Sequence, residues 1–212
     1  MLDKIKVFKQ SGIKISDGSI IYFDPIGVDN KYMDADIIFI THSHSDHFSI
    51  EDIIKVMNSN TKIVVPSDLP EKLTTYFQTD HIYVVKPNMN YTLNNINFRT
   101  IPAYNVNSNH HPRSNDWVGY LVRLNNITYY IAGDTDITLE NSNLKCDVAF
   151  VPIGGKFTMN DFEAAKYINM IKPRLVIPTH YGMVVGDMVD AQRFKEGLNP
   201  NIKCEIIIKE PF

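Results

Sequence analysis

Between Ile37 and Phe48 the chain reads IIFITHSHSDHF, which sets His42, His44, Asp46 and His47 directly after an apolar run. Imidazole and carboxylate are preferred ligands of zinc and related divalent ions, and a loop leaving a strand can turn several of them toward one point. A merely solvated His-rich loop belongs in a polar surface segment, not at the end of IIFI. Two further stretches repeat the arrangement: TYYIAGDT places Asp134, and LVIPTHYG places His180, just after an apolar run. Alone, each has a plainer explanation, a turn aspartate after Gly133 and a capped surface histidine. Taken with the first cluster, they read as three strand ends that each carry a ligand-type residue. A divalent ion held in such a cluster would polarise a substrate oxygen and lower the pKa of a bound water toward about 7, which makes hydroxide available for attack. Asp46 stands where it could orient the nucleophile or accept its proton, and simple ligation explains it equally well.

These residues need strands that stop at a common level. Apolar or β-branched runs predict strands over Ser19 to Phe23, Ile37 to Ile40, Lys62 to Val65, Ile82 to Val85, Asp147 to Val151, Leu175 to Ile177 and Lys203 to Ile208. YTLNNINFRTI and YLVRLNNITYYIA each place two asparagines between strand-like runs, and Asn tolerates the positive φ of a tight hairpin turn. Ile50, Ile53, Ile54 and Met57 recur at helical spacing behind Ser49, an N-cap candidate. A second helix is expected over Asp161 to Ile171, with Phe162, Ala165, Ile168 and Ile171 as its apolar stripe and Thr158 as its cap; Pro70 to Phe77 and Asp187 to Leu198 are weaker helical stretches. Helices alternating with strands and hairpins predict an α/β (α+β) fold, and a chain this long can close a four-layer αββα sandwich. Without a linker or low-complexity segment, a single domain over residues 1–212 is expected.

Through HSHSDH at His42 to His47, AGDT around Asp134 and PTHY around His180, the chain resembles the metallo-β-lactamase superfamily. The motifs PAYN, HP, VGY, PIGGKFTM and PTHYG resemble its small stand-alone metal-dependent hydrolases, relatives of ascorbate 6-phosphate lactonase and of the N-acyl-phosphatidylethanolamine phospholipase D group. The resemblance implies an αββα sandwich with two metals at the edge between two internally similar halves. It further implies that His42, His44 and a later His hold the first ion, that Asp46, His47 and His180 hold the second, and that Asp134 bridges them. The β-lactam-hydrolysing branch uses a Cys ligand, and neither Cys146 nor Cys204 lies in a comparable motif. The oxygen-reducing diiron branch carries Glu at the position of His44, which favours zinc here, with manganese, iron or nickel as alternatives. The extra arm or inserted domain usual in the superfamily's nucleases has no counterpart segment.

The missing histidine of the first ion falls within NVNSNHHPRSNDWVGY, as either His110 or His111. Neighbouring side chains on an extended segment point to opposite sides, so one of the two is a bystander. Pro112 restricts the residue before it to extended backbone, which suits a ligand that must hold its geometry, so His111 is expected to be the ligand. The His-Pro pair of the resembled family points the same way.

Other residues carry less. Gly154 and Gly155 in PIGGKFTM could open a turn and let a ligand approach the backbone, or simply join a strand to a helix. Arg113, Lys156 and Tyr181 are candidate substrate contacts against the plainer reading that they solvate a surface. Asp24, Trp117 and His81 read as structural. The two cysteines adjoin strand-like runs and read as small core residues in place of a disulfide.

Composition narrows the function classes. The 212 residues are 44% hydrophobic and 21% charged, enough for a substantial core, and carry a formal net charge of −3. With a pI near 6.1 no global positive field draws the chain to nucleic acid or anionic membranes. An N-terminus without an apolar secretion segment, and no long apolar run later, predict a cytoplasmic protein without membrane attachment. The reading is a hydrolase acting on an ester, lactone or phosphoester bond of a small molecule. Its competitors are a nuclease or phosphodiesterase acting on nucleic acid, and a non-enzymatic metal-binding sensor module. The sequence is silent on the substrate and on the oligomeric state.

Overall fold

A computed structural model describes residues 2–207, which divide into two compact units, 2–86 and 87–207. The first opens with a short 3-10 turn and strands β1 (Ile5–Val7), β2 (Ile13–Asp17) and β3 (Ser19–Phe23), followed by β4 (Ile37–Phe39), helix α1 (Ile50–Val56), β5 (Lys62–Val65), helix α2 (Pro70–Thr74) and β6 (Ile82–Val84). They form one six-stranded sheet in sequence order, antiparallel from β1 to β3 and parallel from β3 to β6. Parallel strands need crossovers, and α1 and α2 supply two of them. The helix α1 starts where Ser49 was expected to cap it: its side chain accepts from the Asp52 amide. Alternation along the strands sends Tyr22, Ile38, Ile40, Ile63 and Val65 into a core with Ile53 and Val56 of α1 and Leu69 and Leu73 at α2. Ile21, Phe23, Ile37, Phe39 and Val64 face the other way and are also buried, as continuous apolar runs in parallel strands require.

The second unit has the same plan, a meander that leads into parallel strands. Strands β7 (Asn90–Leu93), β8 (Ile96–Pro102), β9 (Val118–Leu124) and β10 (Ile127–Ile131) are antiparallel neighbours. Next come β11 (Val148–Pro152), helix α3 (Asp161–Ile171), β12 (Leu175–Thr179), helix α4 (Met188–Glu196) and β13 (Lys203–Cys204), all parallel from β10 onward in one seven-stranded sheet. The asparagine pairs make both hairpins: Asn94 and Asn95 turn at φ of 49° and 62°, Asn125 and Asn126 at 42° and 65°. The core joins Ala149, Val151 and Val176 of the sheet to Ala165, Tyr167, Ile168 and Ile171 of α3 and Phe194 of α4.

Several expectations shift. The cap of α3 is Asn160, not Thr158: Asn160 and Glu163 exchange side-chain-to-backbone bonds at 2.9 and 3.0 Å, a capping box that Thr158 cannot make from two residues further out. Phe162 lies outside the buried stripe at 68% exposure, because the helix turns Ala164, Tyr167 and Ile168 inward instead. Strands β1 and β2 fall outside the expected runs, since they alternate Ile with Lys and are short and half polar. The last strand is Lys203–Cys204, and Ile208 of the expected run lies outside the described residues. Cys146 and Cys204 are both free thiols packed on the second core, and burial pushes them up to about 12 and about 11.

Candidate metal centre

In the first unit the cluster begins where β3 and β4 end side by side. Asp24 follows β3 and is fully buried; its Oδ1 accepts from the Thr41 amide at 2.7 Å and its Oδ2 from the Thr41 hydroxyl at 2.6 Å. The same Oδ2 lies 2.8 Å from His47 Nδ1. Burial drives the Asp24 carboxyl above its ordinary pKa, while His47 and Thr41 pull it back toward the charged form. A hydroxyl has one proton, and that of Thr41 goes to Asp24, so the Thr41 oxygen accepts from His42 Nδ1 at 2.9 Å. Nδ1 of His42 and of His47 is thus engaged in a hydrogen bond, which leaves Nε2 as the ring atom of each that can meet a metal. The tight turn that follows, in which the amides of His47 and Phe48 both donate to the His44 carbonyl, gathers the rest. Ligand atoms of His42 and His44, of His42 and His47, and of Asp46 and His47 lie within 4.8 Å of one another. Gln10, at the β1–β2 connection, donates its amide to Asp46 Oδ2 at 3.1 Å.

In the second unit the ligand-type residues come from three separate segments. Ile131, Phe150 and Ile177 are register partners across β10, β11 and β12, and Asp134 and His180 each stand three residues past their member of that row. Both therefore emerge at the carboxyl end of the parallel strands, where α/β sheets place their ligands. Gly154, past the end of β11, makes room: a Cβ there would overlap the carbonyl of His180 and stand 2.6 Å from Val185 Cγ2. The close approach that the glycine pair suggested is thus made by the backbone of the ligand loop itself. His111 arrives on the connection from β8 to β9, which is pinned by the Ala103 amide on the Trp117 carbonyl and the Asn105 amide on the His111 carbonyl. The Asn105 amide group donates to Asp136 Oδ1 and to the Phe157 carbonyl, both at 3.0 Å, which fixes its oxygen toward His111. That oxygen accepts from His111 N–H at 3.1 Å and from Nδ1 at 2.9 Å. His111 Nε2 lies 3.3 Å from Asp134 Oδ2, and His180 Nε2 lies 3.1 Å from the same oxygen. All three residues are buried. His180 sits at φ of 56°, a left-handed backbone that a non-glycine residue adopts at a cost of about 1–3 kcal/mol.

His110 is exposed and rests edge-on against Phe157, with ring centroids 4.8 Å apart. Arg113 pairs with Glu140 at 2.6 Å and lies over the Tyr104 ring, while Lys156 lies over Phe157. Tyr181 is not at the surface: its side chain belongs to the second core, and burial pushes its phenol up to about 12. Trp117 is buried with its ring against His111, and His81 is satisfied by the Thr61 carbonyl at 2.7 Å. Asp24, Gln10 and Asn105 support the cluster without themselves standing in a ligand motif. Asp24 had a readable signal, an acid at the end of the apolar run SIIYF, where burial demands a partner.

Each unit thus presents buried imidazole nitrogens beside a carboxylate at the carboxyl ends of parallel strands, the mark of a metal-binding α/β protein. Comparison with known proteins narrows the class. Residues 4–180 match the model of the beta-lactamase superfamily domain, a span that enters both units. A UPF0173 metal-dependent hydrolase of Thermococcus kodakarensis is 33% identical over 98% of this chain and 96% of its own length, and one of Pyrococcus horikoshii is 30% identical over the same shares. Among crystal structures, a candidate metal-dependent hydrolase from Parabacteroides distasonis superimposes with a TM-score of 0.83 at 29% identity, covering 97% of this chain and 93% of that one. The metallo hydrolase Igni18 from Ignicoccus hospitalis shares the fold, with a TM-score of 0.77 at 22% identity over 96% and 94%. The chain belongs to the metallo-β-lactamase superfamily, and its two mixed sheets with few helices are the fold of that family. Within it, the chain is an enzyme of the stand-alone metal-dependent hydrolases. Among the described residues no helix is long and apolar enough to cross a membrane.

Proposed function

We propose that His42, His44, Asp46, His47, His111, Asp134 and His180 hold two divalent metal ions, zinc in the first instance, and that the protein hydrolyses an ester, lactone or phosphoester bond of a small molecule. The observation that carries this reading is the contact of His111 Nε2 with Asp134 Oδ2. An amide oxygen can only accept, so Asn105 holds Nδ1 of His111 as a donor, and Nε2 stands 3.3 Å from a carboxylate oxygen. An imidazole nitrogen and a carboxylate oxygen held together in a buried place are ligand atoms that suit a shared cation. His42 and His47 repeat the pattern, with Nδ1 anchored and Nε2 left as the ligand atom, as outer partners do for metal-bound histidines.

Bound there, divalent ions would polarise the scissile group and make water nucleophilic near neutral pH. The chain's own residues supply the rest. Asp134, met by two histidines through one oxygen, is suited to serve both ions. Asp46, a third exposed where His42 and His47 are buried, can meet solvent and receive a proton from the attacking water. Arg113, exposed beside Tyr104, remains our candidate for a substrate contact, and Lys156 is a second. The acidic balance of the chain favours a small molecule over nucleic acid.

The test is turnover of p-nitrophenyl esters, lactones and bis-p-nitrophenyl phosphate by protein stripped with a chelator and reloaded with zinc or manganese. Activity that vanishes on stripping and returns on reloading is expected, with circular dichroism unchanged throughout, because two cores of this size fold without metal. Loss of secondary structure on stripping would make the metal structural first. Digestion of RNA or single-stranded DNA in preference to the small esters would replace this reading with the nuclease.

A further inference from the structure

Gln10 is a buried polar side chain, and a buried amide calls for a partner. It stands in the five-residue connection between β1 and β2, 2% exposed, with φ of 50°, in the left-handed region that L-residues enter only when the surroundings hold them there. The connection is fixed on every side. Phe8 N–H donates to the Gly12 carbonyl at 2.7 Å, Gly12 N–H to the Lys9 carbonyl at 2.8 Å, and Lys9 N–H to the Ile26 carbonyl at 3.2 Å. Gly12 lies so flat on the chain that a Cβ would stand 3.1 Å from the Ile26 backbone and from the Lys9 carbonyl. From this rigid base the side chain crosses to the metal-ligand loop and meets Asp46 Oδ2 at 3.1 Å. Since a carboxylate only accepts, the group that faces it is the amide NH2.

Asp46 differs from its neighbours in how it is held. His42 and His47 are fixed by Asp24 and Thr41 from beneath, whereas the Asp46 side chain is about a third exposed and stands on a turn. A carboxylate on such a turn has rotamers to choose among, and the Gln10 bond selects the one that keeps Oδ2 within 3.9 Å of His47 Nε2. We propose that Gln10 is a positioning residue: it fixes the orientation in which Asp46 offers its carboxylate, and through it sets the affinity of the ion that Asp46 serves. The proposal rests on the ligand assignment above. It places the polar KQSG turn, at the opposite end of the first unit's sequence from β6, in the service of the HSHSDH loop.

Cobalt(II) binding by the full chain separates this from a structural role. Metal-stripped wild type, Gln10→Ala, Gln10→Glu, Asp46→Ala and the double variant Gln10→Ala/Asp46→Ala are titrated with cobalt(II) against a competing chelator, with visible absorption recorded. Gln10→Glu keeps the length of the side chain and sets a like-charged acceptor against Asp46 in place of the donor, so it remains informative where Gln10→Ala disturbs the turn. Both Gln10 variants are expected to bind the ion that Asp46 serves about 10- to 100-fold less tightly, the usual effect of losing an outer partner of a ligand, with an altered cobalt spectrum and unchanged metal-free secondary structure by circular dichroism. The double variant should bind no worse than Asp46→Ala alone, because Gln10 acts only through Asp46. Wild-type affinity and spectrum in both Gln10 variants would overturn the proposal alone, as would losses that multiply in the double variant. A Gln10→Glu chain that cannot fold also counts against it, since the residue would then be structural. Wild-type cobalt binding by Asp46→Ala would instead overturn the ligand assignment, and the proposal with it.

Discussion

The two units build comparable clusters by different means. In the first, all four ligand-type residues come from one loop of six residues, and a single buried carboxylate, Asp24, steadies the two histidines nearest to it. In the second, His111, Asp134 and His180 come from segments far apart in sequence and meet on one carboxylate oxygen. A local turn sets the first geometry. Sheet register sets the second, since Asp134 and His180 stand level only because β10, β11 and β12 pair in line. The first cluster should therefore tolerate the loss of one member better than the second tolerates the loss of its hub.

That asymmetry orders the mutational effects. Asp134→Ala leaves two buried imidazoles without their common partner and should abolish activity and metal binding together, a larger loss than the roughly 10- to 100-fold typical of an outer partner. Near-normal kcat/KM in that variant would refute the hub. His111→Ala should lose one ion and most activity, while His110→Ala, whose ring lies on Phe157 at the surface, should keep both ions and change turnover little. Metal content of the two variants, measured by mass spectrometry, reads this directly, and the reverse pattern would transfer the ligand role to His110. Asp24→Ala should act through the histidines it holds: about 10- to 100-fold weaker metal binding, plus about 1–3 kcal/mol of lost stability from the donors of Thr41 and His47 left in the core. A thermal melt of the metal-free variant separates the two contributions, and unchanged metal affinity would make Asp24 purely structural.

The same contrast explains what could be read from the chain. HSHSDH was legible because its chemistry is contiguous, and the Asn-Asn hairpins because each turn needs only its own two residues to accept positive φ. Asp134 and His180 were legible as strand-end residues, though not the register that brings both to one oxygen. Gln10 gave no signal, and Asn105 only as the last residue of the PAYN motif: amides are ordinary surface residues until the fold buries them against Asp46 and His111. Thr158 is the cap candidate the pattern suggests, yet Asn160 caps α3, because both residue types cap well and only the backbone decides between them. Phe162 followed the helical spacing and still faces outward, since the cap fixes the helix phase and Ala164, Tyr167 and Ile168 take the buried side.

The central claim is that the chain holds two ions, and native mass spectrometry of the zinc-loaded chain measures it most directly. The account predicts two zinc ions per wild-type chain and fewer after substitution in either unit, by His47→Ala in the first or His180→Ala in the second. A wild-type chain that binds a single ion, unaffected by His180→Ala, would contradict it.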